Sequence, residues 1–273
     1  MFGPRIGIRI GQQIGVTIGG GGVAADPMSG VTRDATSGIY RPQTAAEWDI
    51  ALAAAGITSG GPSFAWDCQG AAGNLSVLFG NAGNAGVKTG TIGYQQAVTG
   101  WTAQCVKTTD NTIGMFQING GTLPDIGAVS CLVMSTQLFP ASSVSDRTIM
   151  QLGSGFVTRV GVDTDGANKI VAVASPNSTA GAAAPWGAVH PLDVLVNRTA
   201  GATIIATDQE ALTPALAANP TGAELIWGGD FSDTWNPGAQ GLIDLAVFVG
   251  AAAELSSAQL KTLRQTLGYT VAW

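Results

Sequence analysis

With 273 residues and a net charge of −6, the chain is long enough for one large β domain with extras or two smaller ones, and it lacks the basic stripe that nucleic acid demands. Charged residues are only 11% of the chain, yet apolar residues reach 45% and seven tryptophans are present, which excludes a disordered polymer. No apolar run approaches the roughly 18 residues of a membrane helix, and glycines and arginines break any signal-peptide core, so the expected product stays in the cytoplasm that makes it or leaves by a route such as lysis.

Glycine takes 39 positions. A surface so poor in charge fits either a chain covered by other subunits or a glycine-rich β fold.

The first element is RIGIRIGQQIGVTIGGGG, residues 5–22. Ile6, Ile8, Ile10, Ile14, Val16 and Ile18 alternate with Arg5, Gly7, Arg9, Gly11, Gln13, Gly15 and Thr17, the pattern of a β-strand with one apolar face. The other face is mostly glycine, which lets a second backbone approach closely. At about 3.3 Å per residue the run reaches about 45 Å, well beyond an ordinary strand. An open apolar edge invites aggregation unless it is paired or covered. Burying six such side chains at about 1.5–3 kcal/mol each contributes about 9–18 kcal/mol before the entropy of ordering. Two uses stay open: docking onto a partner, with Arg5, Ile6, Ile8, Arg9, Ile10, Ile14, Val16 and Ile18 as the contact residues, or completion of the chain's own sandwich.

Residues 23–61 read as a loop and helix leader. Thr44 with Glu47 three positions later predicts a capping box, Trp48 and Leu52 the packing face, and Gly56 the stop. From Pro62 to Trp273 short β-prone runs are split by Gly, Asn and Asp with no helix between them, the texture of an antiparallel sandwich. Within it, Asp163, Asp165 and Asn168 resemble the start of a calcium loop, but an Asp-Gly hairpin turn explains them with fewer assumptions. Cys68, Cys105 and Cys131 form no C-x-x-C pair and read as small buried hydrophobes, with a Cys105–Cys131 bridge left open. Late in the chain Ser256 and Gln259 cap a second helix, Leu260, Leu263 and Leu267 form its stripe, and Gly268 ends it. Tyr269, Val271 and Trp273 then alternate as a closing strand.

Little in the chain supports catalysis. A glycosidase of this class needs two carboxylates on one strand face, and Glu47, Glu210, Glu224 and Glu254 have no such partner. His190 is the sole histidine, so no histidine-rich metal site forms, and a loop or core role is expected. No cofactor is expected. The segment GGDFSDTWNPGAQG, Gly228 to Gly241, is better suited to binding: Asp230, Asp233 and Asn236 supply acceptors and donors for hydroxyls, and Trp235 a ring for an apolar sugar face. Trp186, in APWGAVHP, has a similar setting. The competing reading is a polar loop with Trp235 packed beneath its own rim.

The stretch Gly241 to Leu263 resembles the concanavalin A-like, laminin-G-like jelly-roll superfamily, whose glycine-led G-x-I-D strand precedes L-S-x-x-x-L and a short helix. Gly241, Ile243, Asp244, Leu255, Ser256 and Leu260 hold those places. VLVNRTAGATIIATDQEAL and AELIWGGD look like the family's hairpin and its glycine-ended strand. The resemblance covers Pro62 to Trp273 and implies binding, often of sugars, rather than catalysis. Upstream, Gly38, Tyr40, Pro42, Thr44, Glu47 and Trp48 resemble an opening found in tailed-phage virion proteins. The expectation is therefore a mostly β protein, an antiparallel jelly-roll β-sandwich with an extended N-terminal β arm and two short helices. The resemblances imply a non-enzymatic virion protein of capsid-decoration or fibre type, made in the host cytoplasm. Its partners would be other virion proteins, copies of itself (a trimer among the options) and surface glycans, with neither nucleic acid nor membrane. A free bacterial carbohydrate-binding module is the alternative, and a glycoside hydrolase comes third.

Overall fold

A computed structural model describes residues 25–57, 61–70, 72–108, 114–118, 130–141, 147–153, 160–164, 169–174, 176–183, 185–197, 201–216, 224–229, 240–249 and 255–273. The arm, residues 1–22, lies outside them.

The leader ends in helix α1 (Ala45–Ala54). Six strands follow: β1 (Phe64–Trp66), β2 (Val77–Gly80), β3 (Val87–Gly90), β4 (Ile92–Gln96), β5 (Cys105–Thr108) and β6 (Gly114–Gln117). Next come β7 (Cys131–Leu138), β8 (Arg147–Leu152), β9 (Val160–Thr164), β10 (Ile170–Ala174) and β11 (Asn177–Ala180). The last five are β12 (Val189–Asn197), β13 (Ala202–Ala206), β14 (Ala211–Leu212), β15 (Leu225–Trp227) and β16 (Gly241–Val249), before helix α2 (Ser257–Thr266).

These strands make two antiparallel sheets. One runs β14-β13-β12-β7-β16-β1-β2, with β5 also on β16 and β4 on β5; the other runs β11-β10-β9-β8-β15-β6-β3. Between them lies one apolar core in which Trp66, Val133, Val194 and Val247 of the larger sheet meet Phe116, Met150, Ala172 and Trp227 of the smaller. The mostly β sandwich expected from the sequence is the fold observed.

The outer face of the larger sheet is buried as well. Leu132, Met134, Leu195 and Phe248 pack against Trp48 and Leu52 of α1 and Leu260, Leu263 and Leu267 of α2. That second layer explains why β7 reads CLVMSTQL and β16 GLIDLAVFV, near-continuous apolar runs instead of alternating ones: both faces of a central strand are out of water.

Both helices start as their caps predict. Thr44 accepts from the Glu47 N–H, and Ser256 and Gln259 bond reciprocally. The Glu47 carboxylate departs from the expected box: it accepts from Gln43 N–H at 3.1 Å and Thr32 N–H at 2.8 Å, and so ties the leader to α1. Gly56 at φ +71° and Gly268 at φ +101° occupy the left-handed positions that end the helices.

Residues 269–273 do not form the closing strand. Tyr269 and Val271 are buried as the alternation implies, but the Ala272 N–H donates to the Asp208 carbonyl at 2.7 Å and the tail joins no ladder. Packing against the helix-covered outer face satisfies the same alternation that a strand would. β9 and β10 pair as an antiparallel hairpin, with Thr164 facing Ile170, while Asp165, Gly166 and Asn168 of the expected Asp-Gly turn lie outside the described residues. The three cysteines are buried free thiols; Cys131 belongs to the inter-sheet core and Cys105 to a separate cluster with Val98, Ala103 and Ile243, so no bridge joins them.

Candidate functional site

Strand register decides which loops share a rim. Gly241 of β16 and Val189 of β12 both face Leu138, the last residue of β7 between them. The two outer strands therefore begin level with each other, two strand spacings or about 10 Å apart. Gln240 leads directly into β16, and Trp186 lies three residues before β12, so these two belong to the same end of the sandwich. Asp230, Asp233, Trp235 and Asn236 fall outside the described residues, but the positions that bound them do not. Segment 230–239 crosses from β15 in one sheet to β16 in the other, and its exit is fixed by two hydrogen bonds: Thr108 N–H to the Gln240 carbonyl at 2.9 Å, and Gln240 N–H to Thr108 Oγ1 at 3.1 Å.

Gln240 is the residue at this rim that sequence reasoning missed. It is 1% exposed, and neither its Oε1 nor its Nε2 has a hydrogen-bond partner among the described residues. An amide buried in that state is costly, and this one adjoins the polar segment in sequence. Nothing in a lone Gln before a strand signals burial.

Trp186 is half-buried. Its ring meets Phe139 with centroids 6.2 Å apart at 66°, so the loop position expected to be open is open in part only. Phe139 is fully buried and carries His190 on another edge, 5.9 Å away at 71°. His190 sits on β12, with Nδ1 2.7 Å from Asp208 Oδ1. The expected loop or core histidine is thus a half-buried strand residue held by a carboxylate.

Glu210 braces the loop that bears Trp186. Its carboxylate accepts from Ala182 N–H at 2.7 Å and Ala183 N–H at 3.2 Å. A Cβ at Gly181 would lie 2.0 Å from Glu210 Oε1, so any larger residue there would displace this carboxylate. Glu47 is likewise engaged with backbone, and Glu224 lies beside the Gln117 amide, with burial raising its pKa. Among the described residues no group of three His, Cys, Asp or Glu gathers to hold a metal ion.

The glycine-led motif turns out to be architectural. A Cβ at Gly241 would stand 2.6 Å from Cys105 Sγ, so glycine lets β16 lie against β5. Ile243 and Leu260 are buried, Leu255 nearly so, and Ser256 caps α2. Asp244 accepts from Arg41 Nε at 2.7 Å and Nη2 at 2.6 Å, joining sheet to leader. Burial pulls the Arg41 pKa down, but Asp244 outweighs it and keeps the guanidinium charged. A second pair, Arg264 on α2 with Asp193 on β12, is fully buried, and Arg264 Nη2 also donates to the Ser135 carbonyl at 3.0 Å.

No protein-family model matches the chain, and no curated protein matches it in sequence. Solved structures resemble it in fold. A mutant Trypanosoma rangeli sialidase with trans-sialidase activity aligns with 75% of this chain and 33% of its own at 8% identity and TM-score 0.54. The sialidase complex with 2,3-difluorosialic acid covers 77% and 34% at 8% identity and TM-score 0.52. The binding domain of botulinum neurotoxin serotype C1 covers 77% and 52% at 12% identity and TM-score 0.50. The chain spans about a third of the sialidases' length and about half of the toxin domain's. At such identities the likeness is one of fold, a lectin-like β-sandwich.

Proposed function

We propose that the chain is a non-enzymatic, glycan-recognising structural protein of a virion, attached by residues 1–22 and displaying the sandwich outward. The observation that supports the glycan reading is the register at Leu138, which sets the start of β16, just after the Asp-, Asn- and Trp-bearing segment 230–239 in sequence, level with the start of β12, just after Trp186. A ring flanked by planar polar groups suits a sugar, whose ring faces are apolar and whose edges are hydroxyls. The lectin-like fold is compatible with this use and does not by itself assign it.

Attachment draws its support from the leader. Residues 25–57, into which the arm runs, are packed on the outer face through Trp48 and Leu52 and held by Arg41 and Asp244. The leader that follows the arm in sequence is thus itself held on the sandwich. The absence of a carboxylate pair at glycosidase spacing in the sequence supports the non-enzymatic part.

A single stacked sugar contributes only about 1 kcal/mol beyond its buried area, so useful binding depends on many copies acting together. Glycan arrays probed with assembled protein test the reading, with Trp235→Ala and Trp186→Ala as controls. Binding lost in either variant supports the rim; an array with no hit, or a hit that neither variant weakens, removes it. Mass spectrometry of purified virions tests attachment, with presence at high copy as the expected result. The alternative, a free carbohydrate-binding module, predicts the same array result without the protein in any virion.

A further inference from the structure

We infer that the β2 edge and the cleft beside it form the acceptor for the N-terminal arm of a second copy of this chain. The inference rests on the reading of residues 1–22 as a docking arm and names the surface that receives it.

Among the described residues β2 ends the larger sheet, with β1 as its partner. Edge strands are ordinarily guarded by charge or proline, yet Asn74 to Gly80, NLSVLFG, carries neither. Leu78 on β2 and Val87 on β3 are the exposed large apolar side chains among the described residues, at 38% and 37%. They lie on the same side of the sandwich. β3 ends the other sheet, and the two edges are tied by Leu75 and Gly86, whose N–H groups donate to each other's carbonyls at 2.8 and 2.9 Å.

Beside β2 runs a cleft lined by Tyr40, Arg41, Trp48, Leu78, Thr136 and Asp244, among others. The Trp48 indole N–H is buried there without an acceptor. A strand added at β2 passes the mouth of this cleft, because Leu78 belongs to both.

The arm fits such an edge. Its alternation presents one row of Ile and Val to an apolar strip, and its glycine row lets another backbone come close. It also starts in the right place. Tyr40, which rims the cleft, donates through its hydroxyl to Asp26 Oδ2 at 3.0 Å, so the leader is fixed at the point from which residues 1–24 depart.

Length decides between a chain's own arm and that of its neighbour. β2 offers four residues, about 13 Å, against fourteen in the arm, about 45 Å. Laid along its own β2, the arm overhangs by ten residues with its apolar row bare. Two copies that exchange arms across a twofold axis place the overhangs side by side, because each arm leaves beside the edge that accepts the other.

The test uses the full chain. One sample carries Leu78→Cys; others carry a cysteine in place of Ile8, Ile10 or Ile14, since the register is to be found. The native thiols are buried, so mixing pairs under mild oxidant reads the engineered ones alone. The expected product is a disulfide-linked species of twice the chain mass for at least one pair. No product at any position overturns the inference, as does a cross-link confined to a single chain when both cysteines are on one polypeptide. Leu78→Lys, at an exposed position, is expected to halve the solution mass; an unchanged mass also overturns it. Failure here is separable from failure of arm docking on virions: Leu78→Lys chains that still join virions, while chains lacking residues 1–22 do not, leave the docking arm standing and remove only this acceptor.

Discussion

Arg41 and Asp244, separated by 203 positions in the chain, meet through two parallel hydrogen bonds of 2.7 and 2.6 Å. The pair is mostly shielded, with side-chain exposures of 10% and 25%, so water screens it poorly. Replacing either residue with Ala leaves the other charge buried without its partner. Each single variant is expected to lose about 2–3 kcal/mol in urea unfolding. The double variant should lose less than the sum; additive losses would show that the two side chains act independently.

Asp34 governs part of the acid response. It is 4% exposed; burial pushes its pKa up, but the N–H groups of Ser37, Thr102 and Ala103 outweigh this and hold it at about 2, below the ordinary 3.8. The unfolded chain therefore takes the proton first, and protonation favours unfolding. The contribution, about 2 kcal/mol, is complete above about pH 5 and is lost as the pH falls through 4 towards 2. Asp34→Asn should be less stable at pH 7 and show a flatter acid slope across that window. An unchanged slope would place the acid sensitivity elsewhere.

The thiols should be silent in the native protein. Burial raises Cys105 to about 11 and Cys131 to about 12, and pushes Cys68 well above its usual value, so no thiolate forms at neutral pH. A thiol reagent is expected to label none of them before unfolding and all three afterwards. Rapid labelling of the native chain would contradict their placement in the core.

Gln240 offers a trade between stability and binding. Gln240→Met keeps the volume and removes two unpartnered polar atoms, so a gain of about 1–3 kcal/mol in thermal or urea unfolding is expected. If the rim binds glycans with this amide as its floor, the same variant should weaken the array signal. Destabilisation would mean that the amide is satisfied by the segment that adjoins it.

Deleting residues 1–22 separates the two uses of the arm. The docking reading predicts that the shortened chain keeps its melting temperature within a few degrees and loses self-association, since the two larger core clusters already draw on residues 28–271 among the described residues. A fall of tens of degrees would mean that the arm completes its own sandwich.

Local chemistry was the legible part of this chain. Thr44, Ser256, Gly56 and Gly268 announce both helices because caps and left-handed stops act over three or four residues. The sandwich was readable from run length and turn spacing. The outer layer was not: Trp48 and Leu260 look like ordinary amphipathic faces, and only the tertiary fold shows that they share one side of one sheet. YTVAW misled for a related reason, since a period of two fits an extended tail on an apolar surface as well as a strand in a ladder. At the rim, the Trp186 loop was visible as a polar turn with an aromatic, whereas Glu210 and Gln240 matter through partners, or a lack of them, that no local pattern encodes.

The place of β16 at the centre of its sheet also bears on synthesis. This strand pairs with β7, β1 and β5, and it carries the carboxylate for which Arg41 waits. At about 5–20 residues per second, a ribosome needs about 10–40 s to travel from one member of that pair to the other. Later in that interval, from the emergence of β7 to that of β16, the near-continuous apolar surface of β7 lacks at least one of its two neighbours, β12 and β16. Among the described residues, the larger sheet is completed only when the ninth of its strands clears the exit tunnel.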